Sequence, residues 1–170
     1  MKAKLRMINT ALFQLTAAFL LGVLFGCFLV ASGNAYHEPY SYGGAPSLLV
    51  LLWLPLITLL LGTSTVGYWL IPLLASLRGY LLSASFIILI LSGTPLKTAL
   101  LMIGLPGLFS VPAFFLLCED AVSSSRIICL CSECSISKSC GYFQPLRLLL
   151  SLVLLVSAAV VQIYFIPLIV

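Results

Sequence analysis

Four cysteines fall within one short stretch, CLCSECSISKSC, from Cys129 to Cys140. Thiolates at such spacing are what a structural zinc ion takes, usually as paired cysteines two to four residues apart. Cys131-Ser-Glu-Cys134 has that spacing, and Cys129 and Cys140 would complete a candidate ligand set. Against it, the Cys129-Leu-Cys131 pair is spaced awkwardly and no second knuckle follows. The flanking serines and lysine also offer nothing to orient ligands from behind. The plainer reading is a solvated Ser/Cys-rich connection, and no cofactor is expected. The one histidine, His37, stands beside Glu38 in a segment rich in Gly, Pro and Tyr, which reads as a solvated loop. No Ser/His/Asp set, H-E-x-x-H pair or Gly-rich phosphate loop is present, so an enzyme is not expected.

Any such residue must be positioned by what surrounds it, and the surroundings are apolar. The chain has 170 residues, 62% of them hydrophobic and 7% charged, with a mean hydropathy of +1.25. A soluble domain carries about a quarter charged residues. The expected class is therefore an all-α polytopic membrane helix bundle, a single integral membrane domain over 1–170 whose immediate partner is the lipid bilayer. The net charge of +4 comes from basic residues scattered singly beyond Lys2, Lys4 and Arg6, which excludes a nucleic-acid surface.

Polar breaks at Ser32–Pro46 and Glu119–Pro145, with weaker ones at Arg78-Gly79 and Ser92–Lys97, divide the chain into five expected spans. These are 8–31, 50–77, 79–93, 97–118 and 147–168, with a Cys-rich loop over 119–145. The first apolar run is longer than a signal-peptide core and reads as an uncleaved span. Span two is too long for one crossing and holds Pro55, Pro72 and Gly62-Thr63-Ser64-Thr65. A short interfacial or re-entrant piece up to Pro55, then the true span, is expected; a break at Gly62 would give six crossings. The positive-inside rule favours five. With the N-terminus cytoplasmic and the C-terminus outside, Lys2, Lys4, Arg6, Arg78, Arg126, Lys138 and Arg147 face inward, and Lys97 alone faces outward. The Cys-rich loop then lies in a reducing compartment, where disulfides are rare.

Intramembrane catalysis or ion transport needs ionisable groups in the spans, and this reading places essentially none there. The buried polar residues are mild: Gln14, Thr16, Thr63, Ser64, Thr65, Ser83, Ser85, Ser110, Ser157 and Gln162 are expected to link helices by hydrogen bonds. Gly22-Val-Leu-Phe-Gly26 is a GxxxG pair, which allows close approach of another backbone. Gly104-Leu-Pro106-Gly107 and Pro112 are expected to kink span four. A scaffold or assembly subunit is the class these features favour.

Four stretches, in their order and spacing, resemble the stage II sporulation protein M family, the integral membrane component of the endospore engulfment machinery. They are LLGVLFGCFLVASG (20–33), LLGTSTVGYWLIPLLASLRGYLLSASFIILI (60–90), GLPGLFSVPAFFLLCEDAVSSSRII (104–128) and PLRLLLSLVLLVSAAVVQIYFIPLIV (145–170). The resemblance implies a non-enzymatic anchor in the mother-cell membrane. It would recruit and localise the peptidoglycan-degrading stage II sporulation proteins D and P for cell wall remodelling, without a cofactor. Gly22, Gly26, Gly62, Gly67 and Gly79 are then expected to support close packing, with Arg78, Gly104, Pro106 and Pro112 as further interaction positions. A transporter or permease subunit is the alternative class, and a cytoplasmic thiol or metal sensor anchored by the bundle a third.

Overall fold

In lipid every backbone N–H and C=O must find its partner within the chain, so apolar runs of this length can only be helical. The computed structural model describes residues 2–32, 45–133 and 145–165, and they contain helices, turns and no strand. The elements are α1 (Lys2–Ala31), α2 (Ala45–Gly62), α3 (Gly67–Leu91), α4 (Leu96–Ala99), α5 (Leu105–Glu133) and α6 (Pro145–Val160). Two π-helical segments, Leu100–Gly104 and Val161–Phe165, join α4 to α5 and extend α6. Four segments are long and apolar enough to cross a membrane: Thr10–Ala31, Gly67–Leu91, Leu96–Ser125 and Leu146–Tyr164. The protein is membrane-embedded and all-α.

Three expected boundaries are corrected. The division between spans 50–77 and 79–93 does not fall at Arg78-Gly79, because α3 runs unbroken through both residues. The chain turns instead at Thr63–Val66, where the N–H groups of Thr63, Ser64 and Gly67 bond the carbonyls of Leu60, Leu61 and Ser64 at 3.2, 3.0 and 3.2 Å. Nor does Pro55 divide a re-entrant piece from a true span, since α2 continues through it to Gly62. Finally, α5 does not stop near 118. It carries on to Glu133, so the first part of the expected 119–145 loop, Cys129 and Cys131 included, is helical.

The helix directions follow from which residues meet. Gly22 faces Ser76 and Gly26 faces Tyr80 and Ser83, so α1 and α3 run parallel. Arg78 meets Ser110 while Tyr68 meets Ser125, so α3 and α5 run antiparallel. α5 is the central helix, touching α1, α2, α3 and α6. The main core joins Leu15 of α1, Leu54 of α2, Ile71 and Ala75 of α3, and Phe114, Cys118, Ala121 and Val122 of α5. Phe19 and Phe115 close it edge-to-face, with ring centroids 5.4 Å apart. A second cluster of Leu89, Ala99 and Met102 seals the α3–α4 end, and Ala113, Leu117 and Leu155 bind α6 to α5. Large apolar side chains also cover the outside, among them Leu24, Phe25 and Phe28 on α1 and Leu149, Leu152 and Val156 on α6.

Candidate functional site

Apolar burial supplies little drive for helix association in lipid, so close van der Waals packing and buried polar links must do it. The closest packing is a glycine seam between α1 and α3. A methyl group at Gly22 would overlap the Ser76 carbonyl and lie 2.8 Å from its Cα. One at Gly26 would overlap the Ser83 hydroxyl and lie 2.8 Å from the Tyr80 carbonyl oxygen. From the other side, one at Gly79 would overlap the Phe19 carbonyl and lie 3.1 Å from the Val23 nitrogen. The GxxxG of α1 therefore meets a helix of its own chain. A methyl group at Gly67 would overlap the Leu61 carbonyl and lie 3.2 Å from the Ser125 hydroxyl, and Gly62 is buried at the end of α2. One at Gly104 would stand 3.9 Å from the Leu100 side chain, and one at Gly107 would meet open space. Pro106 is buried just after the π-helical segment, where its missing N–H leaves the ordinary helical pattern incomplete. Pro112 is exposed inside α5, which carries on through it.

The seam brings Arg78 into the interior. Sequence reasoning placed this residue at a cytoplasmic boundary; in the fold it stands near the middle of α3, 4% exposed. The reason is Gly79. The Arg-Gly pair looks like a turn, but here the glycine admits α1 and the arginine turns toward α5. Its Nη2 donates to Ser110 Oγ at 2.9 Å, and its guanidinium carbon stands 5.9 Å from the centroid of the Phe114 ring. The Nε is buried and has no hydrogen-bond partner among the described residues. Cys118, fully buried, lies on the same face of α5 one turn beyond Phe114. Beside it is Thr58 of α2, whose hydroxyl donates to the Leu54 carbonyl at 2.8 Å.

No family model, curated protein or solved structure matches this chain.

Two further polar links hold the helices together. Ser125 donates its hydroxyl to the Ser64 carbonyl at 2.6 Å and accepts from the Tyr68 N–H at 2.9 Å, so α5 clamps the α2–α3 turn. Arg147 at the start of α6 reaches Glu119 at 3.2 Å and Asp120 at 3.4 Å on α5. The expectation that the spans hold essentially no ionisable group is thus corrected: Arg78, Glu119 and Asp120 all lie within apolar segments and are buried.

Half of the mild hydroxyls act differently from the expectation too. Thr16, Ser83 and Ser157 donate to carbonyls three or four residues back in their own helices, the usual habit of such residues in helices, and Thr63 in the turn donates to the Leu60 carbonyl of α2. Of the expected linking residues, Ser110 accepts a side-chain bond from another helix, and Ser64 contributes its carbonyl to Ser125. The latter serine was missed, because SSSR reads as a loop start when the helix is thought to have ended. Of the candidate zinc ligands, Cys129 and Cys131 lie on α5, while Cys134 and Cys140 fall outside the described residues, as do His37 and Glu38. Among the described residues, no three of His, Cys, Asp and Glu converge as a metal site would require.

Proposed function

We propose that this chain is a non-enzymatic membrane scaffold that crosses the bilayer five times, with its N-terminus cytoplasmic and its C-terminus outside. Support for five crossings comes from the parallel run of α1 and α3. Two parallel neighbours need a return segment of equal height between them, and α2, about 27 Å long at helical rise, is that segment. Support for a scaffold comes mainly from how the described polar groups are used. The Arg78–Ser110, Ser125–Ser64 and Arg147–Glu119 links all hold helices to one another, while the outward faces are apolar. The resemblance to the stage II sporulation protein M family adds the setting. In this reading the chain anchors and localises peptidoglycan-degrading partners, the stage II sporulation proteins D and P, in the mother-cell membrane during engulfment.

The test is recovery of the full chain in mild detergent from sporulating cells. Glycan-hydrolase activity is expected to co-purify with it, while the partner-free chain cleaves no glycan and its proteoliposomes pass no solute. Cleavage or flux by the pure chain would end the reading. The second reading, a transporter or permease subunit, is favoured by one observation, the buried charge of Arg78, and it predicts flux in that same assay.

A further inference from the structure

A guanidinium does not surrender its proton in proteins, so Arg78 brings a fixed positive charge into the bundle. It stands roughly 16–20 Å from either end of α3 at helical rise, too deep for the side chain to reach a lipid headgroup, and it is turned inward. Burying such a charge without a counterion is costly. The two carboxylates nearest along α5, Glu119 and Asp120, already face Arg147. Among the described residues no carboxylate is within ion-pair distance of Arg78. The Nε–H and Nη2–H of a guanidinium lie on one edge and point nearly the same way, the fork that receives anions side-on. In Arg78 the Ser110 hydroxyl takes the Nη2 side, and the Nε side is buried without an acceptor among the described residues. The Ser110 hydroxyl proton likewise has no acceptor among the described residues. An acceptor at Nε would lie beside that hydroxyl and could take its proton as a second hydrogen bond.

We propose that Arg78 and Ser110 form an intramembrane binding site for a small monovalent anion of halide size. The enclosure excludes a larger occupant. Ser110 and Phe114 are each 1% exposed and Cys118 0%. This leaves no approach for a partner's helix or a lipid phosphate. The site does not depend on the scaffold reading, since a scaffold and a transporter could each hold such an ion.

The experiment is thermal unfolding of the full chain in a non-ionic detergent, followed by tryptophan emission. Sodium chloride and sodium bromide are titrated against sodium gluconate at constant ionic strength. Chloride and bromide are expected to raise Tm saturably, and gluconate, too large to enter, to leave it unchanged. Arg78→Gln should abolish the halide response. Ser110→Ala should shift its midpoint about tenfold, the worth of one hydrogen bond to a charged group. Should Arg78→Gln fail to fold, Arg78→Lys keeps the charge but lacks the two-donor edge, and it should lose most of the response. Halide binding is checked on the wild-type chain by chloride NMR line broadening that bromide reverses. Equal responses to chloride and gluconate would overturn the site and mean that a water molecule satisfies Nε. An unaltered halide response in Arg78→Gln or Arg78→Lys would overturn it equally.

Discussion

Gly22 and Gly107 lie on helices of similar character, yet a methyl group added to each should act in opposite directions. At Gly22 it meets the backbone of Ser76, which cannot move aside as a side-chain tip would, so α1 and α3 must part. Overpacking of this kind costs about 1–3 kcal/mol. Gly22→Ala and Gly79→Ala are each expected to lower Tm in detergent, and Gly22→Leu to prevent recovery of a monodisperse protein. At Gly107 a methyl meets nothing within 4 Å, and alanine is the better helix former by about 1 kcal/mol. Gly107→Ala should leave Tm unchanged or raise it. A Gly22→Ala protein as stable as the parent would show that the seam is not as tight as its geometry. That Gly22 and Gly26 could admit another backbone was legible in their GxxxG spacing, though such pairs are also common in apolar segments that face lipid. Their partner was not. The complementary Ser76, Gly79 and Ser83 lie far along the chain, and only the parallel pairing of α1 with α3 puts them in register.

At the scale of elements, the hairpin between α2 and α3 rests on one serine of a third helix. Removing the Ser125 hydroxyl takes away the acceptor of the Tyr68 N–H and leaves the Ser64 carbonyl with the Gly67 N–H as its remaining donor. An unsatisfied buried polar group costs about 1–3 kcal/mol. Ser125→Ala should therefore lower Tm and speed proteolytic cleavage at Thr63–Val66, while Ser123→Ala, whose hydroxyl bonds only its own helix, should do neither. Equal cleavage rates in the two variants would remove the clamp. Arg147 acts in the same way between α5 and α6. Its side chain is 35% exposed, against 11% for both carboxylates, so the pair is partly desolvated and only partly screened by salt. Arg147→Gln should loosen α6 and lower Tm, with most of the loss persisting in high salt; a loss that vanished in salt would mark an ordinary surface pair.

These elements also show why the expected boundary failed. Arg78-Gly79 has the look of punctuation, but arginine is a good helix former and Gly79 serves packing. Thr63, Ser64 and Thr65 looked like buried polar residues, yet two of them supply the turn with its own bonds. Thr63 donates to the Leu60 carbonyl at 2.7 Å, and Ser64 accepts from the Val66 N–H at 3.2 Å. Hydropathy cannot separate these cases, because both breaks are short and lie within apolar sequence.

For the whole molecule, the proposed five-crossing reading survives moving the break from Arg78 to Thr63–Val66. In that proposed register Lys2, Lys4, Arg6, Arg126 and Arg147 would lie on the inner side and Lys97 on the outer side, Arg78 leaves the tally for the interior, and Lys138 lies outside the described residues. The all-α, membrane-embedded class was readable from composition, since it depends on long averages rather than on any one residue. The location of the Arg78 charge was not, since it follows from a packing register. Cysteine labelling in intact cells distinguishes the two arrangements, starting from a variant whose six native cysteines are replaced by alanine. A cysteine at Thr65 should react only after the inner face is made accessible, and one at Ser92 from outside without it. One at Leu82, a turn beyond Arg78 in α3, should resist a charged maleimide from both sides. If position 82 reacted from the inner face, the chain would turn at Arg78 after all. The buried guanidinium, the parallel α1–α3 seam and the anion site would then all fall together, because each requires α3 to be one helix from Gly67 to Leu91.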